Sequence, residues 1–473
     1  MAHVVVVGAG FAGLTAAYTA VQAGHTVTVV EAAAQAGGAI QPLTFDLSQG
    51  PFTVDAGAEA YAARAQRVDQ LIDELGLAAD VVTPQPAGSW LYLPEVGAVA
   101  APKVGLWGIP GHPSAPEVAA ALGPTGAVRA AQELDMPMDH WTRRRAAGES
   151  ITVGELVVDR FGTDVLERLV APVIGGVHSA DPFDVDIETI APGLIDTAIQ
   201  HDSVARAVAV RRAAAPPGAA VKTLAGGMHR LIEALVDYLG DRATLMFNTN
   251  VTGLAADPVA VQTADNQRIP ADHVVLAVDG PTAFELVSPL NHDVTEKPAL
   301  GTGVALVMLV VDAPQLDDQP RGTGMLVSPA ADAVAAKAAT HVTAKWDWAN
   351  QAAQDQAPHR HVLRLSYGRI TDPADGSAPG YHTPDDELYQ LGITDAAALF
   401  GIERAEFAAA VVAHDVVRWR NAMPVTTPEN AQRLTALGQV ADATDWLHLT
   451  GSWFAGTGLA AISQHASTLN PLQ

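Results

Sequence analysis

No cysteine occurs anywhere in the chain. That excludes structural disulfides, thiol nucleophiles, cysteine-ligated metal and a cysteinyl link to a flavin, so redox chemistry here requires a bound cofactor. Bases are scarce as well: 27 Lys and Arg stand against 52 Asp and Glu, a net charge of −25. Such a field repels nucleic acid and anionic membranes, and neither is expected as a partner. An anionic small substrate is still allowed, because salt confines fields to about 8 Å and a local group of arginines overrides the global sign. Long apolar runs are missing too. The longest, GVALVMLVV at 303–311, suits a buried strand and is far too short for a transmembrane segment. Histidines at metal-ligand spacing are absent, HRH at 359–361 being short and isolated, so no metal is expected. The chain starts directly in a strand with no basic leader, which makes a cytoplasmic location the expectation.

What is plentiful is glycine, proline and short apolar segments: 41 Gly, 31 Pro and 49% hydrophobic residues. A chain of 473 residues exceeds what one simple core supports, and two or three domains are expected. The first segment reads HVVVVGAGFAGLTAAYTAVQAGHTVTVVE. His3–Val7 is a continuous β-branched run, as in a strand buried on both faces. Gly8, Gly10 and Gly13, with Ala9, Phe11 and Ala12 between them, then fit G-x-G-x-x-G at a strand-to-helix turn. A helix is expected up to Gly24 as its C-terminal cap, followed by a strand at Thr26–Val30 that ends in Glu31 and Ala32. This is the full βαβ setting of a dinucleotide site. Gly8 permits the tight turn, Gly10 lets N–H groups approach a pyrophosphate, and Gly13 allows close helix–strand packing. The helix N-terminus favours the phosphates, and Glu31 is the candidate acceptor for ribose hydroxyls.

The motif alone serves NAD or FAD. A second glycine pair, Gly37-Gly38 in EAAAQAGGAI, follows Glu31 closely and favours a flavin, with Gly38 and Ala39 as contact positions. No second G-x-G-x-x-G stands between a strand and a helix; GTG at 301–303 and 322–324 lacks that setting. Non-covalent FAD in an oxidase is therefore expected, with no place for NAD(P)H.

Further along, TVGE at 152–155 reads as a capping box, and DVLERLVAPVIGGVHSADP as a helix ended by its glycines and Asp181-Pro182. APPGAAVKT looks like a linker before the helix LAGGMHRLIEALVDYLG. Strands are expected in ATLMFNTNVTGLAA and IPADHVVLAV, with Val251 near the adenine end. From about 286 to 435 strands dominate, among them HVTAKWDW, HVLRLSYG and AVVAHDVVRWRNAMP. At the end, WLHLTG is expected to return to the nucleotide domain, with Gly451 ending that strand at the cofactor. GTGLA would then open a final helix, Gly458, Leu459 and Ala460 lying by the flavin ring.

These segments together resemble the protoporphyrinogen/coproporphyrinogen oxidase family of flavoenzymes. The likeness runs nearly end to end, through the fingerprint, DAGAEAY, APVIGGVHSADP, VKTLAGGMHRLIEAL, GTGMLVS, VVRWRNAMP and LTGSWFAGTGL. The fingerprint is shared by many flavoproteins, whereas the ordered set is far more specific. The resemblance implies an α/β fold of three parts. A Rossmann-like FAD-binding domain of the glutathione-reductase/amine-oxidase type covers 1–60, 218–285 and 440–473. A mixed-sheet substrate domain covers 61–84 and 286–439, and a helical domain covers 85–217. It also implies oxidation of a porphyrinogen by molecular oxygen with release of hydrogen peroxide. Soluble bacterial members take coproporphyrinogen III in heme synthesis and membrane-attached ones take protoporphyrinogen IX. Ferrochelatase would be a transient partner.

For the site, the resemblance places Gly57, Ala58, Glu59 and Trp419 at the cofactor. Arg64, at a basic position of the family, is the first candidate for the substrate's propionates, and Lys345, Arg418 and Arg420 are weaker candidates. No catalytic side chain is expected, because the flavin carries the chemistry. Two positions depart from the family pattern: Ala58 stands for a proline, and Ala460-Ala461 for Pro-Asp. They leave open an FAD-holding partner protein without turnover. An amine oxidase-like flavoenzyme is a further alternative.

Overall fold

The structure, a computed structural model, describes residues 1–178, 180–214, 220–291, 294–373 and 376–469. Its N-terminal strand His3–Val7 sits at the centre of a five-stranded parallel sheet, ordered 243–246, 26–30, 3–7, 273–276 and 447–449. The valine run is explained by burial on both sides. Val4 and Val6 pack toward helices Phe11–Gln22 and His229–Leu239, while Val5 and Val7 pack toward Gly280–Val287 and Pro428–Asp442. The first helix ends as expected: Gly24 has φ +83°, and the His25 N–H returns to the Ala20 carbonyl at 3.0 Å. The chain's last strand, Leu447–Leu449, joins this sheet parallel to His273–Leu276. The final helix Leu459–Ser467 then packs Leu459 and Ala466 into the core of the first helix.

A second, seven-stranded mixed sheet is ordered 411–423, 302–312, 360–367, 338–341, 324–327, 90–93 and 97–100. Its long strand Thr302–Asp312 alternates. Ala305, Val307, Leu309 and Val311 meet helix Asp385–Phe400, whereas Met308 and Val310 meet Phe45, Phe52 and Trp346.

Helices between residues 116 and 214 form the third part, whose core also takes in Leu91 and Leu93 from the sheet. The capping box is present: Thr152 and Glu155 exchange bonds at the start of helix Val153–Phe161. The following helical stretch contains two π-turns, Leu166–Val170 and Ile174–His178. This part is pinned by a buried ion pair. Arg160 Nη2 donates to Glu133 Oε1 at 2.7 Å, and Glu133 also accepts from the Ser203 hydroxyl and the Val204 N–H at the start of another helix.

Core membership moves several expected boundaries. Val68, Leu71 and Ile72 belong to the nucleotide core and not to the substrate sheet, as do Leu437, Val440 and Ala441 of helix Pro428–Asp442. Strands Trp90–Leu93 and Gly97–Ala100, expected in the helical region, extend the second sheet. HVTAKWDW is not a strand. Val342–Lys345 and Asp347–Gln356 are helical, because burying Trp346 between them on Met308 and Val362 outweighs the β propensity of Val and Thr. The linker at 215–219 and Ser179 of GGVHSADP lie outside the described residues. Its continuation Val221–Leu224 is a strand paired with Tyr61–Ala62. Among the described residues no helix is long and apolar enough to cross a membrane.

Candidate cofactor and substrate site

The two glycine pairs come together. The Gly37 N–H donates to the Ala9 carbonyl at 2.8 Å, and Gly10 pairs with Gly37 as an isolated parallel bridge. Side chains are excluded at three of these positions for steric reasons. A Cβ on Gly8, which has φ +101°, would lie 2.5 Å from the Ala277 carbonyl oxygen. One on Gly13 would strike the Gly8 carbonyl, and one on Gly37 the Ile40 carbonyl. Helix Phe11–Gln22 starts at Gly10 without a side-chain cap and without an acid in its first turn. Its leading N–H groups are thus left for an anion. Helices starting at Thr152, Asp279 and Thr427, by contrast, are capped by those side chains.

Glu31 stands where expected, at the tip of the second strand. Its Oε2 accepts from the Ala9 N–H at 2.7 Å and its Oε1 from the Ala33 N–H at 2.8 Å. Each oxygen keeps acceptor capacity for a ribose hydroxyl. Beside it, the Thr249 N–H donates to the Glu31 carbonyl, which sets Val251 at this end of the sheet. Ala32, Gly38 and Ala39 lie exposed on the same side.

The segment after strand Gly50–Asp55 continues the cradle. The Ala58 N–H donates to the Ala39 carbonyl at 2.9 Å, so the backbone role of this position survives the loss of proline. Gly57 is pressed against an indole: a Cβ there would lie 2.9 Å from Trp419 Cζ2, and Trp419 Nε1 donates to the Ala56 carbonyl at 3.3 Å. Trp419 thus stands at the cofactor segment. At the C-terminal side, Gly451 (φ +108°) and Gly458 (φ +101°) both precede short helical turns in a conformation that side chains rarely adopt. Gly451 approaches Ala12, whereas no protein atom comes within 4 Å of a Cβ on Gly458. The need at Gly458 is backbone conformation rather than crowding. Ala460 is partly buried against the first helix's core. An uncapped helix start, a carboxylate at the second strand's tip and backbone closely approached at four glycines fit FAD.

Glu59 is a buried counter-ion. Lys345 Nζ donates to its Oε1 at 2.6 Å, and Arg364 Nη1 lies 3.3 Å from its Oε2 while donating to the Gly57 carbonyl at 2.8 Å. Burial alone would raise the Glu59 carboxyl, but Arg364 and Lys345 together bring it down to about 2. Lys345, a candidate for the substrate's propionates, is committed to Glu59 and packs over Trp346. Arg364 was not foreseen. The available signal was one arginine inside the otherwise apolar HVLRLSYG. Arg64 lies exposed, five positions beyond Glu59, and makes no ion pair among the described residues. Arg418 is held by Asp385 and by the Tyr381 and Thr383 carbonyls, while Arg420 is exposed.

One face of the second sheet adjoins this cradle. Val417, Leu306, Ser366, Ala338 and Leu326 lie in register across five strands, on the same face as Arg364 and Trp419. At its far end Leu326 meets the helical part, where a Cβ on Gly176 would lie 2.7 Å from Leu326 Cδ2. This row of mostly apolar side chains therefore joins the Gly57–Trp419 contact to the helical part.

Comparison with known proteins agrees with this arrangement. The family model described as flavin containing amine oxidoreductase matches residues 11–462. The coproporphyrinogen III oxidase of Mycobacterium tuberculosis is 29% identical over 463 residues, covering 96% of this chain and 94% of that protein. That of Propionibacterium freudenreichii subsp. freudenreichii is 27% identical, covering 97% and 88%. A crystal structure titled "putative protoporphyrinogen oxidase", from Exiguobacterium sp. 255-15, superposes with a TM-score of 0.81 at 23% identity, over 98% of this chain and 97% of that one. With an FAD cradle built as described, the chain belongs to the flavin-containing amine oxidoreductase family and is an FAD-dependent oxidoreductase.

Proposed function

We propose that the enzyme oxidises coproporphyrinogen III to coproporphyrin III. The observation that carries this reading is the mostly apolar row on the second sheet that begins at Gly57 and Trp419 and runs across Leu306, Ser366 and Leu326 to the helical part. A flat, largely apolar macrocycle suits such a face. The near end-to-end similarity to named coproporphyrinogen III oxidases supports the substrate. FAD, when bound, supplies the two-electron acceptor, and oxygen takes the electrons on as hydrogen peroxide over three rounds per macrocycle.

The chain's own contribution is binding, orientation and exclusion of water. Gly8, Ala9, Gly10, Phe11, Ala12, Gly13, Glu31 and Ala32 hold the nucleotide half. Gly38, Ala39, Gly57, Ala58, Trp419, Gly451, Gly458, Leu459 and Ala460 border the flavin, and Val251 the adenine end. Lys345 and Arg364 hold Glu59 ionised. With two cations on one carboxylate, this corner is net positive and favours an anionic substrate despite the chain's −25. Arg64 meets propionates at the mouth. Transient contact with ferrochelatase would pass the product on.

The test is anaerobic mixing with coproporphyrinogen III, followed by air. The flavin band at about 450 nm should bleach while porphyrin fluorescence appears, and air should restore the band with release of peroxide. No bleaching would leave a partner protein without turnover; faster turnover of protoporphyrinogen IX at matched concentration would replace the substrate.

A further inference from the structure

Eight described residues other than glycine have positive φ, and seven of them lie between secondary-structure elements. The eighth, Asn421 at φ +50°, lies inside strand Val411–Met423. Left-handed backbone is unfavourable for a residue with a Cβ, and asparagine bears it best because its short amide bonds locally. The pairing around Asn421 is also broken. Leu306 faces Val417, Ala305 faces Arg418 and Val304 faces Trp419. Unbroken register would set Thr302 opposite Asn421, yet Thr302 faces Met423. Two residues are thus inserted in the edge strand directly after Trp419. Bulges of this kind bend a strand and re-aim a side chain.

The bulge is held from the nucleotide domain. Asn421 Nδ2 donates to Asp279 Oδ2 at 2.9 Å. Asp279 Oδ1 accepts from the Thr282 N–H at 2.7 Å, capping helix Gly280–Val287. Asp279 stands two residues after Ala277, whose carbonyl bounds Gly8, so the bond lands at the same end of the five-stranded sheet as the cofactor turn. Gly301 lets the bulge lie flat: a Cβ there would strike the Met423 carbonyl oxygen and lie 3.1 Å from Asn421 Cα. On the other side of the bulge, Trp419 Nε1 donates to the Ala56 carbonyl at 3.3 Å, with the indole pressed on Gly57.

Backbone held in a sparsely populated conformation by its surroundings points to a task at that place. We propose that Asn421 is a positioning residue for the cofactor. Its left-handed kink, secured by Asp279, sets the angle at which the strand delivers Trp419 to Gly57 and to the flavin. This inference rests on the reading above that Trp419 borders the flavin.

The test reads flavin emission in the FAD-loaded enzyme and needs no substrate, because an indole in contact with a flavin quenches it and quenching falls steeply with separation. Asn421→Ala removes the amide and leaves a Cβ that disfavours the kink, whereas Asn421→Gly removes the amide but adopts positive φ freely. In Asn421→Ala, bound-flavin emission should rise about twofold or more. Its kcat for coproporphyrinogen III should fall about tenfold with KM within about twofold of wild type, as for a misaimed orienting group. Asn421→Gly should recover most of both effects. The flavin band relative to protein absorbance shows whether each variant keeps its FAD; loss confined to Asn421→Ala supports the role equally. Trp419→Phe is the reference for a flavin without its indole. If Trp419→Phe leaves the emission unchanged, Trp419 does not border the flavin, and that reading falls with the inference. If Trp419→Phe raises emission but Asn421→Ala does not, or if Asn421→Gly loses as much as Asn421→Ala, the positioning role alone is overturned.

Discussion

Lys345 Nζ and Glu59 Oε1 lie 2.6 Å apart across 286 residues of sequence. The contact ties the substrate sheet's flank to the segment that leaves the glycine cradle, and Arg364 closes it from the sheet itself. The Gly57 segment and the second sheet are thereby held in one geometry by a single carboxylate.

Glu59→Gln should destabilise the protein in a pH-dependent way. The carboxyl is held at about 2 when folded, against 4.5 for an unperturbed one. A lowered folded value stabilises above the unfolded value and loses that effect as pH falls through the folded one. The difference between wild type and Glu59→Gln should be on the order of 3 kcal/mol at pH 7 and shrink steadily from about pH 4.5 toward pH 2. Urea unfolding at stepped pH measures it. A difference independent of pH would mean that packing, not charge, is what Glu59 provides.

Gly13→Ala should lose FAD, because a methyl group there meets the Gly8 carbonyl and neither backbone can yield without opening the turn. Gly24→Ala is the informative contrast. It has φ +83° with nothing within 4 Å of a Cβ, so only about 1 kcal/mol of backbone strain is expected and the flavin should stay. The ratio of absorbance at 450 and 280 nm in purified protein reads both. Retention of flavin in Gly13→Ala would place the pyrophosphate elsewhere.

The N-terminal part of the cradle was readable from the sequence because each of its pieces is local. Gly8 to Gly13 lie within one turn, Glu31 follows at the next strand end, and the unbroken valine run of His3–Val7 is set by burial on both faces. The Thr152–Glu155 capping box was readable for the same reason. What depends on distant packing was not. Trp346 decides that HVTAKWDW is helical, and its pocket is made by strands 302–312 and 360–367. Glu59 reads as a cofactor contact until Lys345 and Arg364 arrive from the other domain.

Glu133→Ala should unfold the helical part first. The substitution strands Arg160 in a dry core and removes the acceptor for Ser203 and Val204. Breaking one side of such a pair costs roughly 3–5 kcal/mol. Thermal melts and limited trypsinolysis between residues 116 and 214 should register it. The double variant Glu133→Leu/Arg160→Met should recover most of the loss, because no unpaired charge remains. A single variant as stable as wild type would mean that water reaches Arg160.

Arg64→Ala should separate substrate binding from chemistry. Its charge is exposed and free of ion pairs among the described residues, unlike that of Lys345. Coproporphyrinogen III carries four propionates and protoporphyrinogen IX two, so a cation at the mouth matters more to the former. Each Arg–carboxylate contact contributes on the order of 1.5–3 kcal/mol when desolvated and less when open to salt. KM for coproporphyrinogen III should therefore rise several-fold more than KM for protoporphyrinogen IX. The kcat should change little, since propionate contacts are common to ground and transition states. Lys345→Met should behave oppositely, lowering kcat and flavin affinity for both substrates alike, because it releases Glu59 from its partner. Added salt should raise KM for the wild type and leave Arg64→Ala less affected. Equal KM changes for the two substrates would remove Arg64 from propionate recognition.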